Sequence, residues 1–366
     1  MIDLKDMNDI FVTKPYLPSK DIYKDYIDHI FACGVLTNKG QFVDQLESRL
    51  TAFLGVKNVI CVANGTIALQ VLYKALGLRN EVITTPFSFV ATSSSLSWEG
   101  LIPKFVDIDD TWNLSPDLVN EGITKKTSAI VPVHVYGNPC DVEAFEYLSS
   151  SKGIPVIYDA AHAFGVGFAE KSLLSFGVAS TLSFHATKIF HSIEGGAIVT
   201  NDADLAKKIR NMINFGIVNP TTINTLGINA KMSEFHAVMG LAVLDKFEEI
   251  LKKRKDIYET YCSELSGLVE FQKITPGASY NYSYVPVLFH SELELLKVMK
   301  YLEKYHVFTR RYFYPLLSSL DFLPQTRSVP MAKSISDRVL CLPSYHDLDL
   351  AEVGKVIELI KKKLSC

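Results

Sequence analysis

The sequence predicts an α/β fold in which a mainly parallel, mixed sheet is covered by helices and followed by a smaller C-terminal α+β unit. From about residue 57 onward, short apolar runs rich in β-branched residues alternate with helical patterns. These runs are nearly continuous in apolar residues, which is typical of strands buried on both faces. Strands that alternate with helical segments favour parallel βαβ connections.

Seven runs predict the strands of the main sheet. They are NVICVA (58–63), EVITT (81–85), LIPKFVDI (101–108), SAIVPVHVY (128–136), IPVIYD (154–159), STLSFHA (180–186) and GAIVT (196–200). Helical stretches such as residues 66–77 fall between them. Further along, we expect one long helix over roughly residues 233–261 and two more strands, within residues 280–289 and 338–343.

Length and composition restrict the class of protein. The 366 residues can form one large domain, which we place at 1–245 with the N-terminal segment, and a small one at 246–366. Hydrophobic residues make up 48% and charged residues 21%, as in ordinary globular proteins. The net charge of −3 gives no field that would attract nucleic acid or an anionic membrane, so neither partner is expected.

Cysteine usage and the N-terminus predict a cytoplasmic protein. The opening residues MIDLKDMNDI lack the basic start and apolar core of a signal peptide. No apolar run approaches the roughly 20 residues that span a bilayer. The six cysteines are scattered and form no CxxC pair, which argues against structural zinc or a disulfide framework.

Polar features follow three of the predicted strands, and in open parallel sheets ligands bind beyond the carboxyl ends of the strands. Residues 64–66 (Asn-Gly-Thr) follow the first strand and open a helix, Asp159 ends the fifth, and residues 183–188 emerge from the sixth. If these strands are neighbours, the three features face one pocket. The dinucleotide, P-loop, serine-hydrolase and zincin fingerprints are all missing from the sequence.

Each feature has two interpretations when taken alone. Residues 64–66 could offer free N–H groups and a hydroxyl to a phosphate, or simply cap the helix. Asp159 could pair with a protonated ring nitrogen, or cap a loop or helix. Lys188 could be a desolvated amine that forms a Schiff base, with Phe184, Ile189 and Phe190 as apolar walls, although most lysines are solvated.

Taken together, the three features point to pyridoxal 5′-phosphate (PLP). A phosphate site, a carboxylate for a ring nitrogen and a Schiff-base lysine on successive strands are what this cofactor needs. Phe89 could stack on the cofactor ring, with core packing as the alternative, and Ser183 could add a hydroxyl to the phosphate site.

The chain resembles the sugar aminotransferases of the DegT/DnrJ/EryC1/StrS group, which are fold-type I PLP enzymes. The segments that carry the resemblance span nearly the whole chain. They are NGTIAL (64–69), TPFSFVAT (85–92), VPVHVYGNPCDV (131–142), YDAAHAFG (158–165), LSFHATK (182–188), EGGAIVT (194–200), GINAKMSEFHAVMGL (227–241) and RRYFYPL (310–316).

The resemblance implies three residues next to the cofactor ring. Lys188 would bind the cofactor as a Schiff base and then move protons during the reaction. Asp159 would pair with the pyridinium nitrogen. His162 lies where many members carry Gln, and it would stack on the ring or bond near its hydroxyl.

The resemblance also implies the phosphate site and a partner. Gly65, Thr66 and Ser183 would hold the phosphate, and Asn229 would reach the phosphate of the neighbouring subunit's cofactor. A homodimer with shared active sites follows from that role. The segment after Arg310 would lie near the nucleotide sugar.

The activity implied is transfer of an amine from L-glutamate to a keto sugar linked to a nucleotide. VTKPYLP (12–18) and VLTNKG (35–40) look most like members that act on dTDP-4-keto-6-deoxy-D-glucose at C4, for a deoxyaminosugar of a surface polysaccharide. The alternatives are a 3-keto sugar or a catalytically silent regulatory protein of the same fold. Relatives that remove a hydroxyl have histidine in place of the lysine, so Lys188 disfavours that reaction.

The remaining groups near Lys188 receive structural interpretations. His185 and His191 are six residues apart without a cysteine or acidic partner at ligand spacing, so no metal site is expected. His185 is interpreted either as supporting the residues that contact the cofactor or as structural, and His191 is left unassigned. Gly195 and Gly196 are interpreted as a tight turn in which glycine takes backbone positions that other residues cannot.

Overall fold

The computed structural model describes residues 9–324 and 328–365. The helices in these ranges are α1 Lys20–Cys33, α2 Gln41–Leu54, α3 Gly65–Ala75, α4 Ala91–Trp98, α5 Pro116–Gly122, α6 Val142–Lys152, α7 Ala203–Met212, α8 Glu234–Leu244, α9 Phe247–Leu265, α10 Glu292–Glu303, α11 Pro330–Arg338 and α12 Leu350–Leu364. None of them combines the length and the apolar character needed to cross a membrane.

The strands in the same ranges are β1 Ile10–Phe11, β2 Asn58–Val62, β3 Glu81–Thr84, β4 Ile102–Phe105, β5 Thr127–Val131, β6 Ile157–Asp159, β7 Gly167–Phe168, β8 Lys171–Ser172, β9 Ala179–Ser183, β10 Gly196–Thr200, β11 Ile217–Asn219, β12 Thr222–Ile223, β13 Glu270–Phe271, β14 Val285–Leu288, β15 Val307–Phe308 and β16 Val339–Leu342.

The central sheet has the order β2–β10–β9–β6–β5–β3–β4. Parallel bridges from Ile130 to Val156 and from Val133 to Asp159 join its two halves. Strand β10 runs antiparallel to both neighbours, and the other pairs are parallel. Each of the seven predicted runs overlaps one of these strands, with β5 and β9 beginning one residue earlier than predicted, so the predicted α/β fold class is confirmed.

Both faces of this sheet are buried. In β2, Val59 and Cys61 point into one apolar cluster, whereas Ile60 and Val62 point into a second cluster on the opposite face. Full burial of one branched aliphatic side chain contributes about 1.5–3 kcal/mol. Stabilisation from both faces explains why the strands read as continuous apolar runs.

The strand register aligns the polar strand ends. Gly196, the first residue of β10, pairs with Val62 on one side and with Ser183 on the other. Asp159, the last residue of β6, pairs with Thr181 of β9. Residues 64–66, Asp159 and the segment after Ser183 therefore leave the sheet at one edge.

The C-terminal part of the chain builds a smaller sheet, β13–β14–β16, in which all pairs are antiparallel. Strands β14 and β16 lie within the predicted runs 280–289 and 338–343. Side chains of α9, α10 and α12 form an apolar cluster with this sheet. Ile10 joins the same cluster because β1 pairs with β15. The domain boundary after residue 245 stays a prediction.

The single helix predicted over residues 233–261 is wrong, because two helices occupy this region. Helix α8 ends at Leu244 and α9 begins at Phe247, with Lys246 at φ −114° and ψ 7° between them. The amide of Lys246 donates to the carbonyl of Val243, a tightened last turn. Helix α8 packs on α1 and α2, whereas α9 packs on α12, so the chain must change direction.

Candidate active site

The aligned strand ends face a cavity of about 630 Å³. The predicted site residues that line it are Gly65, Thr66, Phe89, Asp159, His162, Ser183 and Lys188. The structure thus brings together side chains from four separate strand ends and the loops that follow them. Asn229, the eighth predicted residue, does not line this cavity.

The start of helix α3 forms one wall of the cavity. The Asn64 side chain accepts a hydrogen bond of 2.8 Å from the amide of Ile67, so it caps the helix. The amides of Gly65 and Thr66, in the first turn, have no partner within the helix. Capping and anion binding are therefore compatible here, because different groups serve each purpose.

Close packing at this wall requires glycine. A Cβ placed on Gly65 would lie 3.0 Å from Cβ of Ser183, which also lines the cavity. A Cβ on Gly196 would lie 2.6 Å from the carbonyl carbon of Asn64. Because both positions lack a Cβ, the start of α3 can lie directly against β9 and β10. The helix amides of Gly65 and Thr66 therefore lie close to Ser183.

Gly195 and Gly196, at the start of β10, are needed for space rather than for their φ angles. Neither Gly195 nor Gly196 has a positive φ, and the positive φ in this loop, 69°, belongs to Ile193. A Cβ on Gly195 would collide with the hydroxyl of Ser192. The predicted need for unusual glycine backbone angles is therefore wrong, and close approach replaces it.

Asp159 presents a buried carboxylate to the cavity. Thr92 Oγ1 donates to its Oδ2 at 2.7 Å, and the amide of Ala161 donates to its Oδ1 at 3.1 Å. Burial raises the pKa of the carboxyl in spite of these bonds and of the nearby Lys188 amine. Since both hydrogen-bond donors are neutral, a cationic ring nitrogen in the cavity would complete the pairing that a buried carboxylate needs.

His162 is a buried, uncharged imidazole. Burial, together with the Lys188 charge, lowers its pKa well below the usual value. Its Nδ1 accepts a hydrogen bond of 3.3 Å from the amide of Tyr136, which leaves the proton on Nε2. The ring lies nearly parallel to that of Phe313, with centroids 5.6 Å apart. This packing fixes the ring plane at the cavity wall.

Lys188 extends its amine into the same cavity. Burial lowers the pKa of the amine from 10.5 to about 8, although the charge of Asp159 acts in the opposite direction. The neutral amine that Schiff-base formation requires is therefore far more accessible near neutral pH than in an ordinary lysine. The predicted apolar walls lie elsewhere: Phe184, Ile189 and Phe190 belong to the core and anchor the loop instead.

Phe89 lies at the cavity and not in the core. Its side chain is 51% exposed and follows β3 in the loop before α4. Core packing, the alternative interpretation, is excluded by this exposure. A free aromatic face at the cavity wall suits a planar ring as its partner.

Several lining residues were not identified as site residues from the sequence. Tyr284 precedes β14, and Arg310, Tyr312 and Phe313 follow β15, so the C-terminal part of the chain closes the cavity. For segment 310–316, only the family resemblance predicts a place near the substrate. Tyr284 lies in an aromatic and apolar run that predicts a buried strand, so the sequence does not indicate that it belongs to the site.

The two histidines that flank Lys188 have different surroundings. His185 is half-exposed, lines the cavity and bonds Thr187 Oγ1 through Nδ1 at 2.8 Å. His191 is buried, and its Nε2 lies 2.8 Å from the carbonyl oxygen of Tyr16. His191 thus attaches the N-terminal segment to the loop that carries Lys188, a structural role.

Asn229 lies at the base of an exposed hairpin formed by β11 and β12. It forms an antiparallel bridge with Asn214, is exposed, and is not among the residues that line its own chain's cavity. Large apolar side chains on this hairpin are exposed, with Ile223 at 70% and Leu226 at 71%.

The residues of the cavity fit PLP. Gly65 lets the start of α3 lie against Ser183, which places free helix amides beside a serine, and both suit a phosphate. Asp159 supplies a buried carboxylate with only neutral donors, and Lys188 supplies an amine with a lowered pKa. These groups match the phosphate, the ring nitrogen and the aldehyde of the cofactor, respectively.

Comparison with known proteins agrees with this geometry. The DegT/DnrJ/EryC1/StrS aminotransferase family profile matches residues 20–361. A dTDP-4-amino-4,6-dideoxy-D-glucose transaminase of Shigella dysenteriae is 41% identical over 361 residues, 96% of this chain and 98% of that protein. The transaminase of the same name from Escherichia coli is 41% identical over 372 aligned positions, 98% of this chain and all of that protein.

A solved structure gives the same result. The crystal structure of DesI with its TDP-sugar product has a TM-score of 0.93 at 34% identity, covering 98% of this chain and 94% of that one. Fold and cavity are those of a PLP-dependent aminotransferase. The chain belongs to the DegT/DnrJ/EryC1/StrS aminotransferase family.

Proposed function

We propose that this chain transfers the amino group of L-glutamate to C4 of dTDP-4-keto-6-deoxy-D-glucose. The observation that carries the proposal is the half-buried Lys188 amine, with its lowered pKa, in the same PLP-sized cavity as the buried Asp159 carboxylate. The choice of sugar is supported by two relatives, each 41% identical over nearly the whole chain and named as transaminases of the dTDP-4-amino sugar. The product would supply a deoxyaminosugar for a surface polysaccharide, made in the cytoplasm.

Lys188 would perform the proton transfers in both halves of the reaction. When bound, PLP supplies an electron sink for the carbon that loses its proton. In the first half the neutral amine of Lys188 would take a proton from the donor carbon of glutamate and deliver it to the bound cofactor. In the second half it would take a proton from the aminated cofactor and give it to C4 of the sugar. The carboxylate of Asp159 would keep the ring nitrogen protonated throughout.

The start of α3 and the end of β9 would hold the phosphate. The amides of Gly65 and Thr66 point out of a helix N-terminus, where the dipole favours an anion. Ser183 adds a hydroxyl that forms no hydrogen bond with any residue in the described ranges. Phe89 and His162 would contact the ring from the cavity walls.

A panel of keto sugars tests the assignment of substrate. The purified protein, loaded with PLP, is incubated with L-glutamate and 3-keto or 4-keto sugars linked to dTDP or UDP. We expect amine transfer to the 4-keto dTDP sugar, with product stereochemistry defined by NMR. Preferred transfer to a 3-keto sugar would replace the C4 assignment, and failure with every sugar would overturn the proposed function.

We also propose that two copies of the chain form a homodimer that shares its active sites. Asn229 is exposed and lies outside the lining of its own cavity, so a role at a phosphate needs a second copy. The neighbouring hairpin exposes large apolar side chains, as dimer surfaces do before assembly. These are Phe215, Ile217, Val218, Ile223, Leu226 and Ile228.

Subunit complementation tests the shared site. Co-expression of Lys188→Ala and Asn229→Ala chains with different tags allows the mixed dimer to be purified. If Asn229 acts on the partner's cofactor, the mixed dimer contains one site with both residues intact and has about half the normal activity per dimer. Activity no higher than that of the Asn229→Ala homodimer would show that Asn229 does not act across the interface.

A further inference from the structure

Tyr284 provides the hydrogen-bond partner of the Lys188 amine. Nζ of Lys188 lies 3.3 Å from the Tyr284 hydroxyl oxygen and donates to it. The same amine lies 5.9 Å from the centroid of the Tyr284 ring. The tyrosine is 7% exposed and comes from the segment just before β14, 96 residues along the chain from the lysine.

The segment that carries Tyr284 is attached to the loop that carries His162. The Asn281 side chain donates to the carbonyl oxygens of His162 and Phe164, at 2.8 and 3.0 Å. The hydroxyl of Ser283 lies 3.2 Å from the same His162 oxygen. Tyr284 is therefore positioned relative to the Asp159–His162 loop by direct bonds and not only by the packing of β14.

Arg254 of helix α9 supports this segment from behind. Its guanidinium is buried, and Nη1 donates to the carbonyl oxygen of Ser283 at 3.1 Å. In the described ranges its Nε has no hydrogen-bond partner, and burial lowers the pKa of the group to about 10. The hydrogen bond to Ser283 is thus the contact by which Arg254 holds the residue next to Tyr284.

The rings around Tyr284 fix its orientation. The His162 ring centroid is 4.9 Å away at an angle of 64°, and those of Tyr136 and Tyr312 lie at 5.6 and 5.7 Å. Burial raises the pKa of the Tyr284 phenol, and Arg254 and Arg310 oppose this only in part. The Tyr284 hydroxyl is thus neutral at working pH. A neutral phenol holds the Lys188 ammonium less tightly than an ionised carboxylate would.

We propose that Tyr284 is a positioning residue for the catalytic lysine, an inference that rests on the proposed aminotransferase function. Whenever Lys188 carries a free amine, the phenol oxygen accepts one of its N–H groups. The nitrogen lone pair then stays available for the proton of the substrate carbon. Tyr284 keeps its own proton, and the proton taken up by Lys188 is the one that it later returns.

The pKa of the Lys188 amine tests this role without measuring activity. The enzyme is labelled with 13Cε-lysine, loaded with the aminated form of the cofactor so that Lys188 is free, and titrated by NMR. A signal that is missing from Lys188→Arg identifies the residue. Because the phenol oxygen stabilises the protonated amine, Tyr284→Phe should lower this pKa. Tyr280→Phe is the matched control, since its buried hydroxyl has no partner in the described ranges, and it should leave the pKa unchanged.

Single-turnover kinetics with L-glutamate give the second measurement. Loss of one hydrogen bond predicts a rate constant about 3- to 10-fold lower in Tyr284→Phe, with the Kd for glutamate unchanged. This half-reaction needs no sugar, so a wrong sugar assignment leaves the test intact. Absence of the half-reaction in the unmodified enzyme would instead overturn the proposed function.

The positioning role would be overturned if Tyr284→Phe and Tyr280→Phe had the same Lys188 pKa and the same rate constant. A slower rate without a pKa change, accompanied by a lower Tm, would also overturn it and indicate a structural contribution alone. If Tyr284→Phe gives no folded enzyme, 3-fluorotyrosine at position 284 keeps the hydroxyl but makes it a weaker acceptor. The Lys188 pKa in this fluorinated enzyme should be lower than in the unmodified enzyme, because the hydrogen bond is weakened but not lost. An unchanged Lys188 pKa would contradict the proposal.

Discussion

The hydroxyl of Thr92 lies 2.7 Å from Oδ2 of Asp159 and fixes the carboxylate that faces the cofactor cavity. Thr92 stands in the first turn of α4, 67 residues before Asp159, and its oxygen is 2.8 Å from that of Ser88. A bond from the Ala161 amide fixes the other carboxylate oxygen. The loop after β3 thus orients a carboxylate that β6 supplies.

Asp159→Asn should weaken PLP binding, because the neutral amide has no negative charge to pair with the protonated ring nitrogen. Bonds to charged groups are worth about 1.5–3 kcal/mol, so the Kd of PLP should rise about 10- to 100-fold. Absorbance titration of the apoenzyme with PLP measures this. An unchanged Kd would show that the carboxylate does not contact the cofactor.

Thr92→Val should have a smaller effect than the loss of the carboxylate itself. The variant keeps the shape of the side chain but leaves Oδ2 of Asp159 without its donor, so we expect the Kd of PLP to rise about 3- to 10-fold. Thr92→Ser is the matched control because it retains the hydroxyl. Equal affinities of the valine and serine variants would rule out the hydrogen bond as the cause.

The glutamate half-reaction should slow at low pH because Lys188 must be uncharged to accept a proton. Burial lowers the pKa of this amine to about 8, so the rate constant should rise with pH through about 8 and then level off. The rate constant rises with pH because the protonated amine, which predominates below the pKa, cannot accept a proton. Stopped-flow measurement between about pH 6 and about pH 10 checks this, and a flat profile would contradict it.

Gly65→Ala should damage the phosphate site. The added Cβ would lie 3.0 Å from Cβ of Ser183, so the start of α3 must move away from β9, at a cost of about 1–3 kcal/mol in unfolding free energy. Gly354→Ala is the matched control, because no atom lies within 4 Å of the added Cβ in α12. Only the first variant should weaken PLP binding in a fluorescence titration. If both variants bind PLP equally well, the close approach of α3 is not needed for the phosphate.

The strands and the main polar features were predictable because each depends on local sequence. Runs such as GAIVT are apolar at successive positions, and the structure buries β10 between two clusters. Asp159 ends one such run and Lys188 comes shortly after another, so the rule for ligands at strand ends predicted that they lie together. The break between α8 and α9 was not predictable, because helical residues continue through it and only the packing partners change.

Tyr284 shows what local sequence does not contain. Its segment reads YNYSYVPVLF, an aromatic and apolar pattern that predicts a buried strand, and the residue is indeed buried. Its contact with Lys188 depends on how Asn281, Ser283 and Arg254 attach the C-terminal part of the chain to the central sheet. Such long-range contacts come from tertiary packing and have no signature in a single sequence.

Transfer of labelled nitrogen tests the central claim most directly. The PLP-loaded enzyme is incubated with 15N-labelled L-glutamate and dTDP-4-keto-6-deoxy-D-glucose, and heteronuclear NMR locates the label. The proposed function predicts 15N bonded to C4 of the sugar, and no transfer by Lys188→Ala. Label that stays in glutamate, although the lysine-bound cofactor shows its absorbance band, would contradict the assignment.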